Sequence, residues 1–327
     1  MNFRKLGKTN FEISEISLGT WQVGGKWGEP FSDANAEKII HSAIDAGINF
    51  IDTADVYSDG LSEKAIGKVL RSRSERVYVA TKCGRQFQPH VNEAYQPAAL
   101  RKCVEASLKN MNLECIDLIQ LHCPPTEVYY RPEIFELFET LKQEGKILNL
   151  GVSVEKVEEA LKAIEYDNVT TVQIIFNMFR HRPAEMFFKE AKRRNVGILA
   201  RVPLASGLLT GKFGKDSRFD KNDHRNFNVD GAAFDKGETF SGVDYNKGLK
   251  ALALLNARFS DQNLALLALK WILMFDEVSC VIPGASSSDQ ILSNLTAMQL
   301  PDLTEQEMQF VASVYENQIK NPVHYQW

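Results

Sequence analysis

The chain has 327 residues, with 38 Lys and Arg against 42 Asp and Glu, and so carries a formal net charge of −4. A balanced charge without a long basic run disfavours nucleic-acid binding by phosphate neutralisation. No apolar stretch reaches the roughly 18 residues of a membrane span, which disfavours a membrane protein. The five cysteines are scattered and form no C-x-x-C pair, a pattern typical of reduced thiols that predicts a cytoplasmic location.

In chain order, short apolar runs alternate with segments of helical periodicity. Most of the apolar runs are nearly continuous, as expected for strands that are covered on both faces. The predicted strands are 16–19, 49–52, 77–82, 117–122, 147–153, 171–176, 196–202 and 278–284. The predicted helices are 33–46, 62–70, 96–111, 132–144, 154–165, 183–194, 263–275, 287–298 and 305–318. The first helix is expected to be capped by Asp33.

Eight strands that alternate with helices predict an α/β fold, a single (β/α)₈ TIM-type barrel that spans residues 1–327. Length alone, at about 150 residues per domain, would suggest two domains. The surplus length is assigned to an N-terminal β-hairpin at 3–13 that plugs the barrel bottom, a long loop at 205–245 after strand seven, and the C-terminal helix 305–318. Loops of such length are usually functional lids or disordered. A doubly wound open sheet is the alternative, but no G-x-G-x-x-G motif follows the first strand.

Four residues that can carry chemistry are predicted at neighbouring strand ends. Asp52 ends the second strand and Tyr57 follows it in the loop, while Lys82 and His122 end the third and fourth strands. Active sites of such barrels lie at the C-terminal ends of the strands. Each residue alone has an ordinary structural explanation, such as a turn cap or a solvated lysine, but their coincidence on one rim favours a catalytic group.

Together these residues suit the reduction of a carbonyl by hydride transfer, which requires a proton donor to the oxygen. The free pKa of Tyr is about 10, and burial raises it further, so Tyr57 needs a cation nearby to act as an acid. Lys82 can supply that charge, and Asp52 can hold the ammonium in place. His122 can donate a hydrogen bond to the carbonyl oxygen and orient it.

The chain resembles the aldo-keto reductase superfamily over almost its whole length. The matching segments are 18–21 (Leu-Gly-Thr-Trp), 50–57 (Phe-Ile-Asp-Thr-Ala-Asp-Val-Tyr), 80–82 (Ala-Thr-Lys), 117–122, 151–153, 203–212 and 283–290. The resemblance implies a catalytic tetrad of Asp52, Tyr57, Lys82 and His122, with Tyr57 as the general acid/base. It also implies an extended nicotinamide cofactor, NADPH or NADP⁺ with NADH as the alternative, and a small carbonyl or alcohol substrate.

The resemblance also carries over the cofactor-binding positions. They are Thr20, Trp21, Asp52, Ser153, Gln173, Arg201, Val202, Pro203, Leu204, Ala205, Ser206, Gly207, Leu208, Lys212, Gly284, Ser286, Gln290 and Asn294. Ser153 and Gln173 would hold the carboxamide, and Lys212 would pair with a phosphate. The ordinary explanations are a buried, satisfied amide for Gln173 and a solvated loop lysine for Lys212. The helix that opens at Ser287 would direct its positive dipole end at the 2′-phosphate.

Three positions depart from the family pattern. Arg201 replaces an aromatic residue that often stacks on the nicotinamide, and Val154 replaces an Asn that often binds the carboxamide. Ser286 stands where a basic residue often faces the 2′-phosphate. Arg218 and Arg225 in the long loop are candidates for the missing charge, although solvated surface arginines are the ordinary explanation.

The substrate side is less well defined by the sequence. Five aromatic residues are candidates to line an apolar substrate cleft, although core or lid packing explains each equally well: Trp21, Trp27, Phe87, Tyr129 and Phe179. Cys123 adjoins His122, but neighbouring strand residues point to opposite faces, so no metal site is expected. Two alternative functions stay open: a cofactor-binding regulatory subunit, as in the potassium-channel β subunits, and a Schiff-base lyase or aldolase that uses Lys82. The oligomeric state stays open as well.

Overall fold

A computed structural model describes residues 1–25 and 29–327. It begins with the predicted hairpin, in which β1 (Phe3–Lys5) pairs antiparallel with β2 (Glu12–Ser14) around a 3₁₀ turn. Gly7 in this turn has φ +50°, and a Cβ there would lie 2.2 Å from the backbone nitrogen of Gly197. Only glycine allows this approach, which brings the hairpin against the N-terminal end of a barrel strand.

Eight parallel strands form the barrel wall in the described part of the chain, and each predicted strand is confirmed. They are β3 (Leu18–Gly19), β4 (Phe50–Asp52), β5 (Tyr78–Cys83), β6 (Ile116–His122), β7 (Ile147–Ser153), β8 (Val169–Ile175), β9 (Gly197–Arg201) and β10 (Val278–Ile282). Their order in the sheet is their order in the chain. Parallel bridges from Ile16 to Val281 and from Gly19 to Gly284 join the first strand to the last. The predicted TIM-type barrel is therefore confirmed.

The barrel interior near its bottom is a small apolar cluster. Leu6, Phe11 and Ile13 of the hairpin are buried there. They pack in one cluster with inward-facing strand residues such as Phe50 and Leu118. The hairpin thus covers the bottom of the barrel and leaves the opposite, C-terminal ends of the strands to form a site.

Helices surround the barrel. They are α1 (Asp33–Asp45), α2 (Leu61–Leu70), α3 (Pro97–Met111), α4 (Pro132–Gln143), α5 (Val157–Ala163), α6 (Phe187–Arg193), α7 (His224–Phe227), α8 (Tyr245–Arg258), α9 (Leu264–Leu273), α10 (Ser288–Leu295), α11 (Glu305–Val314) and α12 (Lys320–Val323). The N-cap of α1 is Ser32, whose side chain accepts from the Asn35 backbone N–H, so the predicted Asp33 cap was wrong by one residue. None of the described helices is long and apolar enough to cross a membrane.

Sequence reasoning missed α8. Its N-cap is Asp244, and its buried residues Gly248, Ala251, Leu252 and Leu255 follow helical spacing. Gly248 lies so close to Leu208 that a Cβ would come within 2.5 Å of that side chain. A glycine inside a helix weakens the propensity signal, yet here it allows the helix to pack closely.

The segment 205–245 folds back on the barrel as a series of short turns and α7. Its 3₁₀ turns are Ala205–Thr210, Lys236–Glu238 and Phe240–Gly242. The indole of Trp327 is buried and donates to Asp235 Oδ1 at 2.8 Å. A Cβ at Gly242 would lie 2.2 Å from this indole. The part of the insertion around residue 238 is therefore fixed against the body of the protein.

Candidate active site

Asp52, Lys82 and His122 lie at or beside the C-terminal ends of β4, β5 and β6, and Tyr57 follows β4 in the next loop. The three strands are adjacent and in parallel register, so their ends meet on one rim of the barrel. We call these four residues the tetrad cluster. The structure brings together the four side chains that the sequence predicted as catalytic.

Lys82 is the centre of the tetrad cluster. Its ammonium donates to Asp52 Oδ1 at 2.5 Å, to the Thr53 carbonyl at 2.7 Å and to the Tyr57 hydroxyl at 3.3 Å. Burial on its own would lower the pKa of Lys82, but Asp52 and Tyr57 more than offset this, and the pKa is raised. Lys82 is therefore a permanent cation within hydrogen-bond distance of the Tyr57 oxygen.

Tyr57 stays protonated near neutral pH. Burial raises the pKa of its hydroxyl, and Lys82 opposes that effect by stabilising the tyrosinate. The opposition matters for chemistry, because a phenol that gives up its proton beside an ammonium leaves an anion that is stabilised at once. The arrangement suits a general acid or, in the reverse direction, a general base.

His122 is neutral. Burial lowers the pKa of its imidazole well below the usual range, and Arg85 and Lys82 lower it further. Its ring stands edge-on to Tyr57, with ring centroids 6.1 Å apart. Its Nδ1 has no hydrogen-bond partner among the described residues. A neutral imidazole next to a phenol can orient a polar ligand without adding a charge.

The second oxygen of Asp52 is held by two amides. Gln120 donates to Asp52 Oδ2 at 3.1 Å, and Gln173 donates to it at 2.7 Å. The Gln173 side chain is thus buried and hydrogen-bonded, as a purely structural role would require. It also lines the cleft. Gln120 was not predicted as a site residue, although it directly precedes Leu121 and His122 on the same strand.

One main cleft opens above the tetrad cluster, with about 1020 Å³ of empty space. Most predicted cofactor positions line it: Thr20, Trp21, Asp52, Ser153, Gln173, Arg201, Val202, Pro203, Leu204, Ser206, Gly207 and Gly284. A neighbouring outer cavity lies between the turn at Lys212 and the helices α9 and α10. Lys212, Gln290 and Asn294 are among the residues that line this outer cavity.

Three predicted cofactor positions lie elsewhere. The side chains of Ala205 and Leu208 are buried in the main apolar core and are not part of the cleft wall. Ser286 is engaged locally, since its backbone N–H donates to Gln290 Oε1 at 2.7 Å. Ala205 and Leu208 would therefore contact a ligand through the backbone, whereas the half-buried Ser286 also has a hydroxyl, which donates to Gln290 Oε1 at 3.2 Å.

The loop after β9 has an unusual backbone. Val202, Ala205 and Ser206 have φ values of 53°, 47° and 56°, and Gly207 has 90°. Non-glycine residues rarely adopt this left-handed region, which costs roughly 1–2 kcal/mol per residue. Such strain is typical of ligand-binding loops, where consecutive N–H groups turn toward one point and can bind an anion.

Arg201 belongs to a buried group of charges that we call the side cluster: Arg85, Glu155, Arg201 and Glu238. Arg201 Nη2 lies 2.9 Å from Glu155 Oε2, and its Nη1 lies 3.6 Å from Glu238 Oε2. Arg85 Nη2 lies 2.8 Å from Glu238 Oε1. The guanidinium of Arg201, expected to face the cofactor, is thus already paired with carboxylates.

The aromatic candidates separate clearly. Tyr129 and Phe179 are fully buried, and Phe87 packs against the core. Trp27 lies outside the described residues. Trp21 alone of the four described candidates lines the cleft, and it stacks on Tyr57 with ring centroids 6.0 Å apart.

Sequence reasoning missed several residues that the insertion brings to the cleft. His224 lies against Trp21 at a centroid distance of 5.2 Å, and Phe234 lies 5.9 Å from it. Arg225, one of the two candidates for the missing phosphate-binding charge, lines the cleft but pairs with Asp223 at 2.5 Å. Arg218, the other, is exposed. For His224 and Phe234, the only sequence signal of a role was their position in a long polar loop.

The comparisons with known proteins agree with this geometry. The model of the aldo/keto reductase family matches residues 15–316, and the chain belongs to that family. It is similar to the aldo-keto reductase YhdN of Bacillus subtilis, with 30% identity over 99% of this chain and 96% of that protein. The solved holo structure of aldo-keto reductase AKR11C1 from Bacillus halodurans has a TM-score of 0.78 and 28% identity, covering 96% of each chain.

A relative of another kind has a similar sequence. A protein of Oryza sativa subsp. japonica named as a probable voltage-gated potassium channel subunit beta is 27% identical over 99% of this chain and 100% of its own length. Family membership thus makes this chain an oxidoreductase of the aldo-keto reductase type on a TIM barrel, while its cofactor, substrate and site residues are matters for proposal.

Proposed function

We propose that this protein is an NADP(H)-dependent reductase that converts an aldehyde or ketone into an alcohol, or catalyses the reverse reaction, with Tyr57 as the general acid. The observation that carries the proposal is the Lys82 ammonium, 2.5 Å from Asp52 Oδ1 and 3.3 Å from the Tyr57 hydroxyl. The same contacts disfavour a Schiff-base role for Lys82, because a nucleophilic amine has to be neutral.

The residues around the main cleft fit a nicotinamide cofactor. Ser153 and Gln173 supply polar groups beside the tetrad cluster, and Trp21 supplies an aromatic face. The left-handed turn at Ser206 and Gly207 suits a pyrophosphate. The outer cavity with Lys212 and Asn294 suits the adenosine end. When bound there, a reduced nicotinamide would supply the hydride.

The protein's own groups would then complete the reduction. His122 would donate a hydrogen bond to the substrate carbonyl and orient it beside Tyr57. As the carbon gains hydride, negative charge would develop on the oxygen, and Tyr57 would transfer its proton there. The products are the alcohol and a tyrosinate that Lys82 stabilises until a proton returns from solvent. Asp52 would keep the Lys82 ammonium charged and fixed.

Loss of NADPH absorbance in the presence of an aldehyde tests the proposal. Tyr57→Phe keeps the ring and removes the proton, so we expect kcat to fall by roughly 10²- to 10⁴-fold with NADPH binding retained. Tyr130→Phe is a matched control, because Tyr130 is 63% exposed, its ring lies beside Lys162, and it does not line the cleft. Equal rates for wild type and Tyr57→Phe would overturn the assignment of the acid.

A fluorescence titration with NADPH and NADH tests the nucleotide preference. We expect tighter binding of NADPH, because Lys212 adjoins the outer cavity. Lys212→Met should weaken NADPH more than NADH if this lysine meets the 2′-phosphate. Equal weakening of NADPH and NADH binding would assign the Lys212 contact to the pyrophosphate. Unchanged binding of both would mean that Lys212 is a solvated loop lysine.

The likeness to a channel β subunit favours a second candidate, an NADP(H)-binding regulatory subunit with little turnover. It predicts tight cofactor binding, very slow oxidation of NADPH with every aldehyde tested, and a stable protein partner. Turnover at ordinary rates, on the order of 1 to 10³ per second, would exclude it.

A further inference from the structure

A second space, which we call the side cavity, lies beside the tetrad cluster. Tyr57 and His122 line one part of it, and Arg85 and Glu238 line another. The side cavity is where the rest of a substrate would extend when its carbonyl meets Tyr57 and His122. The inference that follows therefore depends on the proposed function.

Arg85 and Glu238 offer a matched donor and acceptor. They form an ion pair at 2.8 Å between Nη2 and Oε1. Arg85 Nη1 is nevertheless buried without a hydrogen-bond partner among the described residues, with Glu155 Oε1 3.7 Å away. A buried donor without a partner is unfavourable, so a ligand group that accepts from it is bound more strongly.

The Arg85–Glu238 pair is balanced in charge. In the side cluster as a whole, the guanidiniums of Arg85 and Arg201 lie 2.8 to 3.7 Å from the carboxyl groups of Glu155 and Glu238. Although burial favours the neutral acid at both positions, the two arginines lower the pKa of Glu238 to about 2, whereas burial raises the pKa of Glu155 to about 8. A balanced pair suits a neutral hydroxyl, which accepts from the guanidinium and donates to the carboxylate, better than it suits an anion.

Aromatic rings also line the side cavity, and the Arg85 guanidinium carbon lies 5.6 Å from the ring centroid of Phe234. Trp21 and Phe234 both line it, with ring centroids 5.9 Å apart. A wall of this kind packs against the C–H face of a small carbon chain, while the charged wall contacts its polar edge. A short carbon chain with hydroxyl groups along one side has both surfaces.

Glu238 is held in this position from several sides. Its backbone carbonyl accepts from the Ser206 hydroxyl at 3.0 Å, and the Phe240 backbone N–H donates to the same hydroxyl at 3.0 Å. Asp235, three residues earlier, accepts from the Trp327 indole at 2.8 Å. Such support is typical of a binding group whose position is fixed before the ligand arrives.

We infer that the Arg85–Glu238 pair is a specificity-determining site that binds a hydroxyl group next to the reacting carbonyl. The enzyme accordingly prefers hydroxyaldehydes and hydroxyketones, or the corresponding polyols in the reverse direction, to plain alkyl carbonyls of the same length.

The test compares glyceraldehyde with propanal, which has the same carbon chain without hydroxyls, using kcat/KM with NADPH. The ratio of the two values does not depend on the amount of folded enzyme, so partial unfolding of a variant does not affect it. We expect a wild-type ratio well above one and a fall in the ratio of roughly 10- to 100-fold in Arg85→Met, as for the loss of a charge-assisted hydrogen bond. Glu238→Gln should lower the ratio less, and Arg85→Lys should restore part of it.

Arg101→Met is the matched control, because Arg101 forms an exposed pair with Glu144 on the outer helices and should leave the ratio unchanged. Equal losses for both aldehydes in Arg85→Met would give Arg85 a structural role only and overturn the inference, as would a wild-type ratio near one. A stronger, Arg85-dependent reaction with glyoxylate would make the pair an anion site and also overturn it. If wild type oxidises no NADPH with any of these aldehydes, and Tyr57→Phe is equally inactive, the proposed function itself fails. That result is distinct from a failure of the specificity inference.

Discussion

The tetrad cluster and the side cluster adjoin the same cleft but differ in how completely their polar atoms are paired. In the tetrad cluster, Lys82 has three hydrogen-bond acceptors and both oxygens of Asp52 are engaged, while His122 Nδ1 is buried without a partner among the described residues. In the side cluster, every residue has a buried atom without a directed hydrogen bond to the described residues: Arg85 Nη1, Glu155 Oε1, Arg201 Nε and Glu238 Oε1. Of these, Glu238 Oε1 still lies 2.8 Å from Arg85 Nη2 in the ion pair.

The difference follows from where the residues lie in the fold. Asp52, Lys82 and His122 end adjacent strands, whose positions the barrel hydrogen bonds fix. The side cluster joins a strand end, Arg201, to loop residues and to Glu238 of the insertion. A Lys82–Asp52 pair with complete hydrogen bonding on strands suits chemistry that needs one geometry, whereas a partly paired group on loops keeps capacity for a ligand.

The largest effect is expected from Lys82→Met. The change leaves the Asp52 carboxylate buried without its cation, and breaking such a pair typically costs about 3–5 kcal/mol of unfolding free energy. Urea unfolding measures the loss, and carbonyl-dependent oxidation of NADPH should also become very slow. Adding Asp52→Asn to Lys82→Met should restore part of the stability. A Lys82→Met variant as stable as wild type would contradict the idea that the tetrad cluster depends on the Lys82–Asp52 pair.

The tetrad cluster was predictable because Asp52, Lys82 and His122 end short apolar runs, and parallel strands bring such ends to one rim. Tyr57 follows the first of these runs in the next loop. The side cluster was not predictable, because Arg85 and Glu238 are far apart in sequence and meet only through the folded insertion. Arg201 was expected to face the cofactor. Its pairing with two carboxylates was not predictable, because both carboxylates come from other loops. The helix α8 was missed for a local reason: Gly248 lowers its helical propensity while it allows close packing.

Asp55 lies near the tetrad cluster, but its carboxyl group is unpaired in the described part of the chain. The variant Asp55→Asn tests whether this carboxyl group is protonated in the folded protein. Neither of its carboxylate oxygens has a hydrogen-bond partner among the described residues, and burial, with Glu63, raises its pKa to about 7. The folded state therefore keeps a proton that the unfolded chain has lost above pH ~4. Wild-type stability should fall as the pH rises from about 4 to 7 and stay level above it.

The shift of about three pH units corresponds to at most about 4 kcal/mol. Asp55→Asn should remove most of this pH dependence, as measured by thermal unfolding between pH 5 and 8. The exposed neighbour Asp59, changed to Asn, is the control and should keep the wild-type profile. An Asp55→Asn profile parallel to that of wild type would show that this carboxyl is ionised in the folded protein.

Trp327→Phe is expected to have the smallest effect and tests how the insertion supports the side cluster. The change keeps an aromatic ring beside Arg180, whose guanidinium carbon lies 4.2 Å from the indole centroid, and removes only the N–H that Asp235 accepts. The unfolding free energy should fall by about 1 kcal/mol, with Tyr325→Phe as an exposed control. Because Asp235 and Glu238 share one turn, the glyceraldehyde-to-propanal ratio should also fall, by less than in Arg85→Met. A loss of stability with an unchanged ratio would mean that Glu238 is held in place by Ser206 and its arginine partners alone, and that Trp327 stabilises the insertion without affecting specificity.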